Sequence, residues 1–305
     1  MQLGFVSAVL ADLSFEEVLE IASREAFDCV EVMCWPAGGG DTRRYAGTTH
    51  IDVGTLDESR AAEIKRQVDE SGVTISALGY YPNPLVPDPI ERQVYIDHIR
   101  KMIDAAVSLE LTTVNTFVGR DQWKTIDDNW SLFMEVWPPL VQYAAKRNIN
   151  IGIENCPMFF TDDEWPGGKN LAISPGTWRR MFEEIPDPHF GLNYDPSHMI
   201  WQQMDEIGPI QEFAGRLHHV HAKDVRLDRR KLDEAGSLAV PLAYHSPKLP
   251  GLGDVRWGRF FSALTDAGYT GPVCVEVEDR AYESSLEDRK RALRQSARFL
   301  RQFMG

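Results

Sequence analysis

Cysteine is scarce in this chain, and basic charge is outnumbered. Four cysteines, Cys29, Cys34, Cys156 and Cys274, stand among 305 residues. None form a C-x-x-C pair, and a chain this long can bury a core without disulfide staples. Reduced thiols and a cytoplasmic location are the expectation. Lys plus Arg number 32 against 46 Asp plus Glu, for a net charge of −14. Such a chain repels phosphate backbones unless a basic patch overrides it. The one short basic run, Asp228-Arg229-Arg230-Lys231, has acids around it, so nucleic acid is not an expected partner. No apolar run approaches ~20 residues, so no membrane span is expected. The first residues, Met1-Gln2-Leu3-Gly4-Phe5-Val6, lack a basic leader and read as a strand rather than a signal peptide. Missing too is a G-x-G-x-x-G turn after that strand, which would favour an open doubly wound sheet. There is no linker, composition break or low-complexity run, and residues 1–305 read as one domain.

What is present is alternation. Strand-like segments fall at 3–7, 29–33, 74–79, 113–117, 150–154, 191–195, 217–221 and 273–277. Helical patterns lie between them. Ser14 with Glu17 forms a capping box, and Phe15, Val18, Leu19, Ala22 and Ala26 follow at helical spacing. Ile96, Ile99, Ile103 and Ala106 repeat the pattern, as do Leu293, Ala297, Leu300 and Met304. Pro138-Pro139 predicts a break or restart in the fourth helix, because neither residue donates an N–H. Eight β-α units predict a single (β/α)8 TIM barrel. Three long connections, 36–55, 155–174 and 222–254, then become loops on the active face.

Four side chains close the last four strand segments: Glu154, Asp195, His221 and Glu276. Three carboxylates and one imidazole are a ligand set for one divalent cation. Hard oxygens suit Mn²⁺, Mg²⁺, Co²⁺ or Fe²⁺, with Zn²⁺ possible. An octahedral ion so held keeps open positions for a chelating substrate, and polarising a carbonyl acidifies the adjacent C–H. Carboxylates at the same rim can move that proton.

Other residues gather around this set. His198, three after Asp195, reads as a substrate contact and acid/base group, with metal binding as the alternative. Lys223 can neutralise an enolate oxygen or pair with a carboxylate. His219 reads as a core histidine or a support beneath the metal, and Glu278 as a loop residue or a second rim carboxylate. Trp35, Trp123, Trp165 and Trp201 are candidate platforms for a sugar face, with Tyr80 and Trp257 beside them. His50 and His245 are lid shuttles or exposed residues. Gly251-Leu252-Gly253 offers N–H groups, but Asp254, read as the N-cap of the next helix, disfavours a phosphorylated substrate.

The chain resembles the xylose isomerase-like barrel superfamily of sugar phosphate isomerases and epimerases. The matching pieces are Gly152-Ile153-Glu154-Asn155, Asp195-Pro196-Ser197-His198, His221-Ala222-Lys223-Asp224, Pro250-Gly251-Leu252-Gly253-Asp254 through Trp257, and Val275-Glu276. The resemblance implies one divalent cation, often Mn²⁺, on Glu154, Asp195, His221 and Glu276, with no organic cofactor. Related ketose 3-epimerases use the first and last glutamates as proton carriers, which implies that role for Glu154 and Glu276. Those epimerases carry a carboxylate where this chain has Phe160 and an arginine where it has Leu227, so their sugar pose does not transfer. Apurinic endonucleases of the superfamily need histidines on strands three and four, and the segments here, Ala77-Leu78-Gly79-Tyr80 and Asn115-Thr116-Phe117, have none.

The leading expectation is an isomerase or epimerase of a keto sugar or sugar derivative, working as a homo-oligomer. The alternative is a lyase that eliminates the C1 substituent of a 3-keto glycoside, as in C-glycoside deglycosidases, which work beside a small second subunit. A third reading is an inert sugar- or metal-binding barrel.

Overall fold

The structure is a computed structural model that describes residues 1–38, 46–158 and 168–304. Eight parallel strands close into a barrel: β1 (Gln2–Val6), β2 (Cys29–Met33), β3 (Thr74–Gly79), β4 (Thr113–Thr116), β5 (Asn150–Glu154), β6 (Phe190–Tyr194), β7 (Leu217–Ala222) and β10 (Pro272–Val275). β1 pairs with β10 and β2, which completes the ring. The remaining strands, β8 (Asp224–Leu227) and β9 (His245–Lys248), form an antiparallel hairpin inside the connection after β7. Among the described residues, no helix is long and apolar enough to cross a membrane.

Helices wrap the barrel where the sequence places them. In α1 (Phe15–Arg24), Ser14 accepts from Glu17 N at 3.3 Å while Glu17 accepts from Ser14 N at 2.7 Å, closing the capping box. The apolar stripe does not carry the helix to Ala26, which turns left-handed at φ 57°. α3 (Pro89–Ser108) and α10 (Leu286–Leu300) bury their stripes against the barrel, and Met304 lies past the last turn. Pro138-Pro139 neither breaks nor restarts the fourth helix. α4 (Ile126–Ala145) runs through both prolines. Trp137, Leu140 and Val141 are buried around them, and Trp137 Nε1 donates to the Val118 carbonyl at 3.0 Å. Packing on the barrel outweighs the two forfeited backbone bonds.

Two register shifts matter for the site. The β2–β3 ladder skips Ser76 beside Glu31, and the β6–β7 ladder skips His218 beside Asn193. An extra residue bends a strand and re-aims its neighbours. Glu31 and Asn193 are the two strand residues that reach His221 from beneath. Gly152 sits between these layers on β5, where a Cβ would collide with Asn115 Oδ1.

Candidate metal centre

Strand ends of the second half of the barrel deliver four side chains to one place. Glu154 ends β5, Asp195 follows β6, His221 lies in β7 and Glu276 follows β10. One ligand atom from each lies within 4.8 Å of all the others. Backbone groups set their aim. Ser197 N donates to Asp195 Oδ1 at 2.8 Å, which turns Oδ2 into the centre. Asn155 holds the Asp195 backbone from both sides, donating to its carbonyl at 2.9 Å and accepting from its N–H at 2.8 Å. Asn170 donates to the Glu154 carbonyl at 2.9 Å and so fixes the end of β5.

Glu154 Oε1, Asp195 Oδ2, His198 Nε2 and His221 Nδ1 are buried with no hydrogen-bond partner. Such atoms are costly unless a ligand uses them. The two carboxylate oxygens and His221 Nδ1 have the chemistry of a hard divalent site, and they fit one. Charge points the same way. Lys223 Nζ is the buried cation there, 2.6 Å from Glu276 Oε2, 3.1 Å from Asp195 Oδ2 and 3.2 Å from Glu278 Oε2. Four carboxylates against one ammonium and one imidazole leave a surplus of negative charge. Lys223 therefore does pair with carboxylates. Glu278 lies beyond β10, as a loop residue, and still faces the centre.

That surplus shows in the acidities. Burial, then the Glu276 charge, pushes the Glu154 carboxyl up to about 7. Burial alone would raise Glu276 as well, but Lys223 and His221 hold it well below the usual carboxylate range. Burial raises Asp195. Burial would depress His221, yet Glu31 and the two rim glutamates outweigh it and raise it. For His198, burial and then Lys223 act together and keep the ring neutral.

Beneath the centre lies a layer that sequence reasoning misses. Glu31 is fully buried, and its Oε2 lies 2.6 Å from His221 Nε2. Tyr81 OH donates to Glu31 Oε1, and Asn193 Nδ2 donates to Tyr81 OH at 3.1 Å. His219 is a satisfied core residue, with Nδ1 3.0 Å from Asn193 Oδ1 and Nε2 3.1 Å from Ser76 Oγ. The available signal for Glu31 was an acid in the apolar run Cys29-Val30-Glu31-Val32-Met33.

A cavity of about 60 Å³ opens onto the centre. Glu154, Lys223, Glu276 and Glu278 line one side; Val6, Met33, Trp35, Phe117 and Met158 line another. Trp35 is therefore on the cavity wall. Trp123 is not; it is 75% exposed. Trp165, like Phe160, lies outside the described residues. Trp201 is buried behind His198 and donates to its Nδ1 at 3.2 Å. Tyr80 packs edge-on against Trp35, and its neighbour Tyr81 takes the place on the cavity wall. Trp257 donates to Asp224 Oδ2 at 2.8 Å.

Several loop readings need correction. His50 is neither a shuttle nor exposed; Ser7 Oγ lies 2.9 Å from its Nδ1 and the Leu10 carbonyl 3.2 Å from its Nε2. His245 stacks on Trp201 with centroids 4.9 Å apart and is not exposed. Asp254 does not cap α9 (Trp257–Asp266); it accepts from Leu227 N at 2.8 Å and anchors the hairpin instead. The Gly251 N–H already donates to Asp224 Oδ2 at 2.9 Å.

Acid should destabilise this barrel. Burial holds His218, His219 and His245 down at about 4, while unfolded histidine titrates near ~6.5. A depressed folded value means stability is complete above the unfolded value and is lost as pH falls toward the folded one. His221, raised by its carboxylates, contributes fully throughout that window. Glu154, Asp195 and Asp224, raised by burial, work the other way, but burial holds His50, His98 and His198 down as well, so six depressed histidines stand against three raised carboxyls. Melting temperature should therefore fall between pH ~6.5 and ~4. Thermal unfolding across that range checks it, and a flat profile would contradict the assignment.

This geometry has relatives. The xylose isomerase-like TIM barrel family matches residues 19–303, and the chain belongs to that family. It is similar to the uncharacterized protein YfiH of Bacillus subtilis (strain 168), at 26% identity over 97% of this chain and 99% of that protein. A shorter stretch, 32% of this chain, is 31% identical to 34% of an inosose dehydratase of Geobacillus thermodenitrificans (strain NG80-2). A D-psicose 3-epimerase from Clostridium cellulolyticum H10, solved with D-tagatose, superposes with a TM-score of 0.72 at 16% identity, covering 100% of this chain and 99% of that one.

Proposed function

We propose that this barrel is a divalent-metal-dependent enzyme that abstracts a proton beside the carbonyl of a keto sugar or sugar derivative. The observation that carries the reading is the convergence of Glu154 Oε1, Asp195 Oδ2 and His221 Nδ1, buried and without hydrogen-bond partners, beside Glu276. Glu154, Asp195, His221 and Glu276 would hold the cation, Mn²⁺ for preference given three carboxylates and one imidazole. When bound, the cation would polarise the substrate carbonyl and offset charge on the enediolate.

The chain's own groups do the rest. Glu154 and Glu276 arrive from different strands, so they can flank a bound carbon. One takes a proton and the other returns one, which epimerises or isomerises the sugar. Lys223, paired with Glu276 and Glu278, places a fixed positive charge beside the developing anion. Trp35 and Phe117 keep water off one wall. The test is solvent deuterium exchange into a panel of keto sugars, with Mn²⁺ loaded and with chelator. Exchange that follows the metal supports the reading; no exchange with any sugar under any divalent metal rejects it.

A second reading shares the first step. A deprotonated keto sugar can expel a substituent by β-elimination. The apolar wall of Val6, Met33, Trp35, Phe117 and Met158 suits an aglycone, and the partial match to an inosose dehydratase supports an elimination branch. Release of an aglycone from a 3-keto glycoside, or co-purification of a small second subunit, would favour this lyase. The epimerase reading carries a homo-oligomer with it, which sedimentation can check.

A further inference from the structure

Two imidazoles face the centre, and they present opposite faces to it. His221 has its Nε2 2.6 Å from the Glu31 carboxylate and 3.0 Å from Asn193 Nδ2; the shorter contact is to a charged acceptor, and the amide has Tyr81 OH to donate to, so this nitrogen carries a proton toward Glu31. Its Nδ1 is the atom turned to the rim, 3.5 Å from Glu154 Oε1 and 3.6 Å from Glu276 Oε2. His198 is held from the other side. Trp201 Nε1 donates to His198 Nδ1 at 3.2 Å. An indole N–H can only donate, so Nδ1 must be bare and the ring proton must sit on Nε2. That Nε2 faces the centre, 3.3 Å from Asp195 Oδ2 and 3.4 Å from Glu154 Oε1.

We propose that Trp201 is a positioning residue that locks His198 as an N–H donor into the centre, so that His198 binds a substrate oxygen and does not ligate the metal. The substrate part of this statement rests on the function proposed above; the tautomer does not.

The lock has a visible backing. Trp201 belongs to α6 (Ser197–Trp201), the short helix that begins two residues after Asp195. Its indole stacks on His245 with rings 9° from parallel. His245 comes from β9, and its Nδ1 lies 2.6 Å from the Pro241 carbonyl, an acceptor only. Gln202 Nε2 donates to the His198 carbonyl at 2.7 Å and fixes the backbone of the same turn. The hairpin of β8 and β9 thus reaches the centre through one ring stack and one hydrogen bond. An N–H at this place can hold the alkoxide or carbonyl oxygen next to the carbon that Glu154 or Glu276 deprotonates. A bare nitrogen there would repel that oxygen and compete for the cation.

The test reads the tautomer directly. Full-length protein with ¹⁵N-labelled histidine is examined by long-range ¹H–¹⁵N NMR at neutral pH, metal-free and with Mg²⁺, and His198 is assigned through His198→Gln. The expected signal is a protonated Nε2 and an unprotonated, hydrogen-bonded Nδ1 in both states. Trp201→Phe keeps a ring for His245 to stack on but removes the donor. It should populate the Nδ1–H tautomer and lower kcat/KM about 10-fold, the scale of one hydrogen bond. A wild-type His198 that carries its proton on Nδ1, carries two protons, or shows a metal-bound nitrogen overturns the proposal whether or not the variant folds. An unchanged His198 spectrum in a folded Trp201→Phe protein also overturns it. A locked His198 in a protein that exchanges no sugar proton would instead sink the functional reading and leave this one standing.

Discussion

Glu276→Gln, loaded with Mn²⁺ and given the epimer whose proton faces position 276, should lose solvent deuterium exchange by about 10²- to 10⁴-fold, the range for a positioned acid or base. Glutamine keeps the size of the side chain and one oxygen that can face a cation, but it cannot accept a proton at the ordinary range of pH. Lys223 at 2.6 Å holds Glu276 in its charged form, ready to take a proton. Glu154→Gln should fall by a comparable factor, with a difference in direction. If the two glutamates serve opposite faces, each variant can still wash out the proton on the face of the glutamate that remains. Following single-turnover exchange from each epimer separately shows this. Metal content must be measured alongside, because both residues also belong to the proposed ligand set. A variant that keeps its metal and its exchange rate to within a few fold would remove that glutamate from the chemistry.

The fold was legible because its signals are repeated. Eight alternating units, a capping box at Ser14 and Glu17, and the stripes of α3 and α10 all point one way. The strand-end residues were legible for the same reason: in a barrel, position at a strand's C-terminal end is position at the rim. What the sequence hides is direction. Tyr80 and Tyr81 are neighbours of the same type, and only the path of the chain past the end of β3 decides that Tyr81 faces the cavity while Tyr80 meets Trp35 and His98. Trp201 looks like a sugar platform on paper; the helical turn after Asp195 carries it behind His198. Trp123 reads as a loop aromatic and stays at the surface. Pro138 and Pro139 mislead because local backbone chemistry argues against a helix that the barrel surface enforces. Glu31 hides because its partner lies 190 residues away in β7.

Those long-range partners give the centre its shape. Three of the groups that face the rim have their other end occupied: Asp195 Oδ1 by Ser197 N, His221 Nε2 by Glu31, and His198 Nδ1 by Trp201. Each remaining atom then has one direction left, inward. The unpaired set is therefore built by satisfying everything around it, and the register shifts at Ser76 and His218 bring Glu31 and Asn193 to the correct height.

Removing one of these outer partners should be felt in metal binding. Glu31→Gln should weaken affinity for Mn²⁺ about 10- to 100-fold, the usual cost of altering a hydrogen-bond partner of a metal-binding histidine. The carboxylate holds a proton on His221 Nε2, so Nδ1 is the nitrogen that gives up its proton to a cation. It also adds negative charge behind the ring, which makes that nitrogen more basic. A glutamine is neutral, and Tyr81 competes for its oxygen. If the amide turns its NH₂ toward His221, the proton moves to Nδ1 and faces the cation. Titration calorimetry with Mn²⁺ on wild type and variant measures the loss. Wild-type affinity in a folded Glu31→Gln protein would show that His221 is positioned by packing alone. A smaller loss in Tyr81→Phe than in Glu31→Gln is expected, since the tyrosine acts on His221 only through the carboxylate it donates to.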